Sequence, residues 1–243
     1  MSDSQSIETI SEVRRVEAVF GAKKTRPDPR WEHEFAAHLR ETNSTSELMS
    51  LFGRFRAGEN AFDYFMRRLI MRALCKSVGD DLQVAPNVVL KHPETMEFGN
   101  SVFIGAQAMI QGRFDGTCRI GNHVWIGPMA YFDARNLVLE DYVGWGPGAK
   151  VLGSEHTGDP VDVPIIATAL TIKPVVIGQG ADIGTNSTIL PGVRIGANAI
   201  IGAGAVVNHD VPEYAIAAGV PARVLRSRLN TNGHNQVEIG EKQ

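Results

Sequence analysis

Residues 177–207, IGQGADIGTNSTILPGVRIGANAIIGAGAVV, carry a branched aliphatic side chain at every sixth position without a miss: Ile177, Ile183, Ile189, Ile195, Ile201 and Val207. A helix cannot use that spacing, because six residues turn it through about one and two-thirds revolutions and an apolar stripe on it returns at three, four and seven. A single strand of that length exceeds any ordinary sheet, and its glycines would weaken it. The pattern therefore predicts a short strand and a tight turn per six residues, stacked as a solenoid in which each unit buries its aliphatic against the units above and below.

Working outward, the same period runs back through Val151, Trp145 and Leu139, through Phe132, Ile126 and Ile120, and through Ile110, Ile104, Phe98, Leu90 and Val84. Glycine often follows the aliphatic, supplying backbone freedom for the turn, as at Gly121, Gly127 and Gly146. The fifth place is small or β-branched, as at Ala149, Ser187 and Ala205, which suits a crowded inner corner. Three units close one triangular coil, so the placed units make about six coils. Regularity fails between residues 153 and 175, the largest break.

Before residue 82 the period is helical. Residues 11–22, SEVRRVEAVFGA, and 28–41, DPRWEHEFAAHLRE, read as short helices, the second opened by Asp28 as N-cap and Pro29 in the first turn. Residues 61–79 read as a stronger amphipathic helix ended by Gly79, with Phe62, Phe65, Leu69, Met71 and Leu74 on one side and Arg67, Arg68, Arg72 and Lys76 elsewhere. Arginines beside an apolar stripe suit an anionic membrane surface; a cap on the solenoid end is the favoured role, since such ends must be covered. The expected organisation is a helical region over 1–82, a solenoid over 83–228 with an external loop at 153–175, and a polar tail over 229–243.

A net charge of −3 and a pI near 6.2 offer no basic field for a nucleic-acid backbone. Two cysteines, Cys75 on the third helix and Cys118 in a loop insertion, make neither a disulfide framework nor a thiolate metal site, and no secretion signal or membrane-spanning run is seen. A cytoplasmic protein is the expectation.

The repeat, and above all residues 184–228 with DVPEYAIAAGVPARVL inside them, resembles the bacterial hexapeptide-repeat acyltransferases, especially the sugar O- and N-acetyltransferases. The resemblance covers residues 84–228. It implies a mainly β fold, a left-handed parallel β-helix, and transfer of acetyl from acetyl-CoA to a sugar hydroxyl or amine. It also implies a homotrimer with sites shared between neighbours, and no metal.

Function in a smooth solenoid is expected where regularity fails. The break holds His156 shortly before KPVVIG, where members of the family carry a histidine, and neutral imidazole suits a general base. A carboxylate is expected to orient it: Glu155, Asp133 and Asp141 are available, with Asp133, in an irregular coil, preferred. Both cysteines lie away from this loop, so direct attack without an acyl-enzyme is expected. The resemblance places the cofactor on Thr185, Ala203, Gly204, Asn208, His209 and Arg223, with Arg226 and Arg228 as further cations. Relatives often have Thr-Lys where Asn208-His209 stands here, which removes a lysine for the CoA phosphates. Tyr131 and Arg135 are the acceptor candidates, and Trp145, in the aliphatic register, is expected to fill the core. Rival readings are a xenobiotic acetyltransferase, a γ-type carbonic anhydrase drawing on His92, His123, His156 and His209, and a binding solenoid without catalysis.

Overall fold

The computed structural model describes residues 14–229. Three parallel sheets form the sides of a triangular prism, and each strand pairs with the strand one coil on along the same side. The first coil is Ser77–Val78, Gln83–Val84 and Val89–Lys91; the third is Cys118–Ile120, Trp125–Ile126 and Tyr131–Ala134; the fourth is Leu137–Leu139, Gly144–Trp145 and Lys150–Val151. After an interruption come the fifth, Val175–Ile177, Asp182–Ile183 and Thr188–Ile189, and the sixth, Arg194–Ile195, Ile200–Ile201 and Val206–Val207. The chain then pairs Ala215–Gly219 on the second sheet and folds it back against Ala222–Ser227 as an antiparallel hairpin.

All of the aliphatic or aromatic residues assigned to the six-residue register point inward and are at most 3% exposed. Trp145 fills a core slot as expected, edge-on to Phe132, with its Nε1–H donating to the Ala149 carbonyl at 3.1 Å. Stacked aliphatics carry the fold: each wholly buried Ile side chain contributes on the order of 1.5–3 kcal/mol relative to exposure.

Three helices precede the prism: α1, Arg30–Thr42; α2, Thr45–Phe55; and α3, Ala61–Leu74. Residues 14–22 are not helical, contrary to the expectation for 11–22, whose first three positions lie outside the described residues. Val16 and Val19 are exposed, and only Phe20 finds a partner, edge-on to Phe103 at 5.6 Å, too little to hold an apolar helical face. Pro29, not Asp28, is the N-cap of α1 and makes no side-chain cap bond. Asp28 is used elsewhere, accepting from Arg72 Nη2 at 2.5 Å and from the Asp81 N–H at 3.1 Å. Helix α2 is an addition to the two helices expected over 28–41 and 61–79, and Ser44 and Glu47 form a complete capping box at its start.

Helix α3 ends at Leu74, with Cys75 as its C-cap, rather than at Gly79. Gly79 lies instead against Gly99 in the next coil, where an added Cβ would come within 2.6 Å of the Gly99 carbonyl carbon. The solenoid thus begins at Ser77–Val78, which pairs with Glu97 and Phe98. A second departure is chemical: Arg67 is fully buried and Arg72 nearly so, while Phe62 is exposed. One face of α3 packs on α1 and α2 and another covers the first coil, so a single polar face does not exist. Arg67 survives there by donating Nε to the Val84 carbonyl at 2.8 Å and Nη1 to the carbonyls of Phe55 and Gly58 at 2.7 Å. Burial pulls its pKa down. Cys118, expected in a loop, sits on a strand with its thiol inside the prism, and Asp133 lies on a regular strand rather than an irregular coil.

Candidate active site

The break at residues 153–175 is a hairpin projecting from the prism edge between the third and first sheets. It leaves after Val151; Ser154–His156 pairs antiparallel with Leu170–Ile172, and the chain rejoins the first sheet at Val175. Ser154 faces Ile172 and His156 faces Leu170. Glu155 and Lys173 form an ion pair on this hairpin.

His156 is exposed, and its Nδ1 lies 3.1 Å from the Thr168 carbonyl oxygen. A carbonyl only accepts, so the neutral ring carries its proton on Nδ1 and leaves the Nε2 lone pair available. Thr168 was not found from the sequence. It is buried, its hydroxyl donates to the Ile165 carbonyl at 2.7 Å and accepts from the Gly158 N–H at 3.2 Å, and it fixes the strand that holds the imidazole. A lone threonine in a loop gives no pattern that would have singled it out.

None of the three carboxylates considered for orienting His156 bonds to its ring. Glu155 pairs with Lys173, and Asp141 accepts the Asn122 N–H at 2.7 Å on a different prism edge. Asp133 is 7% exposed and anchors the hairpin root: Oδ2 accepts from the Gly153 N–H at 3.3 Å and from Ser154 Oγ at 3.1 Å, and Oδ1 from Arg135 Nε at 3.2 Å. Tyr131, Asp133 and Arg135 are therefore gathered beside the root of the His156 hairpin. Burial and then the charge of Asp133 push the Tyr131 hydroxyl pKa up, against the pull of Arg135.

The residues assigned to the cofactor fall into two groups. Thr185, Ala203 and Gly204 occupy the edge between the second and third sheets, where the Gly204 N–H donates to the Thr185 carbonyl at 2.8 Å. A Cβ on Gly184 would come within 2.6 Å of the Ala203 nitrogen, so the backbone of successive coils is close-packed and the edge is lined by small residues. Asn208 and His209 lie on the next edge, between the third and first sheets, the same edge from which the His156 hairpin leaves two coils earlier. His209 Nδ1 is 2.8 Å from Asn208 Oδ1. The final hairpin folds over this end, and a cavity of about 310 Å³ there is lined by His209, Asp210, Ala222 and Arg223 among others. Arg223 pairs with Ala218, which packs on Gly202 next to Ala203. The end of the prism thus draws Arg223 towards both groups.

Both thiols are wholly buried, and burial pushes their pKa up, that of Cys118 to about 12. Neither is an available nucleophile. Among the described residues, no group of three His, Cys, Asp or Glu side chains converges to hold a metal ion, and no helix is long and apolar enough to cross a membrane.

Residues 174–209 match the family described as "Bacterial transferase hexapeptide (six repeats)". This chain resembles the hexapeptide-repeat acyltransferases. It is 38% identical over 121 residues to a putative acetyltransferase of Saccharomyces cerevisiae, a match covering 45% of this chain and 58% of that protein, so it spans a little over half of that relative's length. It is 29% identical to the galactoside O-acetyltransferase of Escherichia coli, over 69% of this chain and 71% of that one. Among solved structures, a hexapeptide-repeat acetyltransferase of Vibrio cholerae complexed with acetyl coenzyme A aligns with a TM-score of 0.55 and 26% identity, covering 75% of this chain and 86% of that one. An N-acyltransferase of Bacillus cereus in complex with dTDP and coenzyme A shares the fold, at a TM-score of 0.59 and 20% identity, over 65% and 86% of the two chains.

Proposed function

We propose that this chain is an acetyltransferase that moves the acetyl group of acetyl-CoA to a hydroxyl or amine of a sugar-containing acceptor, with His156 as general base. The observation that carries the reading is the bond from His156 Nδ1 to the Thr168 carbonyl, which presents a basic Nε2 at the largest irregularity of the prism. Nε2 takes the proton of the acceptor hydroxyl or amine as its oxygen or nitrogen bonds the acetyl carbonyl carbon. The C–S bond then breaks, and the thiolate of CoA leaves and recovers the proton from His156. Thr185, Ala203 and Gly204 supply a close-packed edge for the pantetheine, and Arg223 with His209 a polar end for the adenosine phosphates. Asp133 positions the hairpin rather than touching the reacting atoms.

The two cofactor groups stand on different edges of one prism, which supports a homotrimer in which a neighbour completes each site. The hairpin carries exposed apolar side chains, Val161 at 90% and Ile166 at 84%, that an adjoining prism would cover. A cytoplasmic, CoA-supplied compartment goes with this chemistry and with reduced thiols.

The test is acetyl-CoA consumption over free sugars, glycosides and nucleotide-linked amino sugars, run beside His156→Ala. The substitution lowers turnover by about 10²–10⁴ and leaves folding intact; a variant as fast as the parent removes His156 from the mechanism. Light scattering gives the mass of the assembly, and a monomeric or dimeric mass refutes the trimer.

A further inference from the structure

Resting on that reading, the prism edge above the His156 hairpin carries two arginines that the transfer of acetyl does not use. Arg135 is 8% exposed and held between two glycines: a Cβ on Gly116 would meet its Cα at 3.2 Å, and a Cβ on Gly153 would meet its Cβ at 2.9 Å. Only its Nε has a partner, Asp133; among the described residues neither Nη donates to anything. Arg113 stands one coil earlier at the matching place, since Gly112 pairs with Ala134 and the Arg113–Gly116 turn, closed by a 3.1 Å bond, packs its glycine on Arg135. The Arg113 Nε is buried without a partner. A buried guanidinium N–H left unbonded is costly, as at the Arg113 Nε, and the outer nitrogens of Arg135 on the neighbouring coil, which donate to no described residue, add free donors for acceptor oxygens beside it. Asp115 in the same turn is exposed and bonded to neither arginine.

We propose that the acceptor carries an oxyanion, a carboxylate or a phosphate, and that Arg113 and Arg135 grip it. A planar guanidinium matches both groups with paired N–H donors. His156 lies three residue steps along the strand from Gly153, about 10 Å, the span of a monosaccharide with its charged substituent. Asp133 neutralises one guanidinium through Nε and leaves the outer fork for the ligand. The grip sets which sugar end lies at the hairpin root and thereby which hydroxyl or amine reaches His156.

The experiment uses the full chain with three acceptors of one sugar: the neutral methyl glycoside, the uronic acid and the sugar 1-phosphate. Equilibrium binding by calorimetry and acetylation rates are both read, for the parent, Arg113→Gln and Arg135→Lys. The expected result is preference for a charged acceptor, reduced about tenfold or more by Arg113→Gln, in the ratio of charged to neutral kcat/KM and in the ratio of affinities. The uronic acid and phosphate arms tell which anion it is. Arg135→Lys, which retains charge but not the fork, loses part of the preference while the Asp133 contact is kept. Equal binding of neutral and charged acceptors, or a ratio unmoved in Arg113→Gln, overturns the proposal. Acetylation of the neutral glycoside alone does the same and leaves the acetyltransferase reading standing; charged acceptors bound through Arg113 but never acetylated retain the grip and sink that reading instead.

Discussion

The Asp133 carboxylate accepts the backbone N–H of Gly153 through Oδ2 at 3.3 Å, tying the third coil to the residue at which the His156 hairpin leaves the fourth. The same oxygen takes the Ser154 hydroxyl, so both residues at the root are held by one side chain. In Asp133→Ala the Gly153 N–H and the Arg135 guanidinium lose their acceptor in a buried place, a cost of about 1–3 kcal/mol per group. The expected outcome is faster hydrogen exchange at Gly153 and Ser154 and quicker proteolytic nicking within 157–167, with Asp133→Asn in between. Exchange identical to the parent refutes the anchoring role.

Thr168 holds the imidazole through its carbonyl, and its hydroxyl fixes that carbonyl. Thr168→Val keeps the volume and the backbone while removing the hydroxyl. Turnover is expected to fall about tenfold, the equivalent of one lost hydrogen bond, with a change in Tm of only a few degrees. Unaltered turnover shows that the His156 ring is placed by something else.

Arg67 bonds three main-chain carbonyls, that of Val84 in a buried place and those of Phe55 and Gly58 in partly buried ones. Arg67→Met fills much of the space and strands those acceptors, destabilising the cap by about 3 kcal/mol. Urea denaturation measures it as a lower midpoint at an unaltered slope.

Burial pushes the Cys118 thiol up to about 12, from 9.0 for an unburied thiol. A raised folded pKa means that the native state holds its proton more tightly, so the contribution to stability is complete below pH 9 and is lost as pH rises from 9 to 12. Cys75 is shifted in the same direction. Native protein at pH 8 should therefore resist an aromatic disulfide reagent and react at both thiols once unfolded. Rapid native labelling would contradict the burial.

The prism was legible because one constraint repeats: each unit places an aliphatic in a column, and the column is visible as a period even where strands are two residues long. Of the first coil, Val84 and Leu90 were legible and only the opening strand, Ser77–Val78, was not, because Val78 directly follows a helix and has only one six-residue neighbour, Val84, ahead of it. The helices were read less well. A single apolar stripe describes a helix with one buried face; α3 has two, which is why Arg67 and Arg72 vanished into the interior. Helix α2 carries its own start signal in Ser44 and Glu47, but its 11 residues, with Gly53 among them, make it the shortest of the three.

At the site, the histidine was legible from its place in an interruption, and its support was not. Asp133 was singled out, but its bonds run to the hairpin root and to Arg135 rather than to the imidazole. Contacts between residues one coil apart in space are about twenty apart in sequence, as with Asp133 and Gly153, and nothing in either neighbourhood marks the pairing.

Trp145, wholly enclosed and already hydrogen-bonded, differs from the exposed Trp31 and the half-buried Trp125. The chain consequently contains its own optical gauge: the enclosed indole emits at short wavelength while the coils stay stacked and shifts red only when water reaches the prism axis. Melting of the solenoid can thus be followed in the fluorescence of the native chain, without an added label.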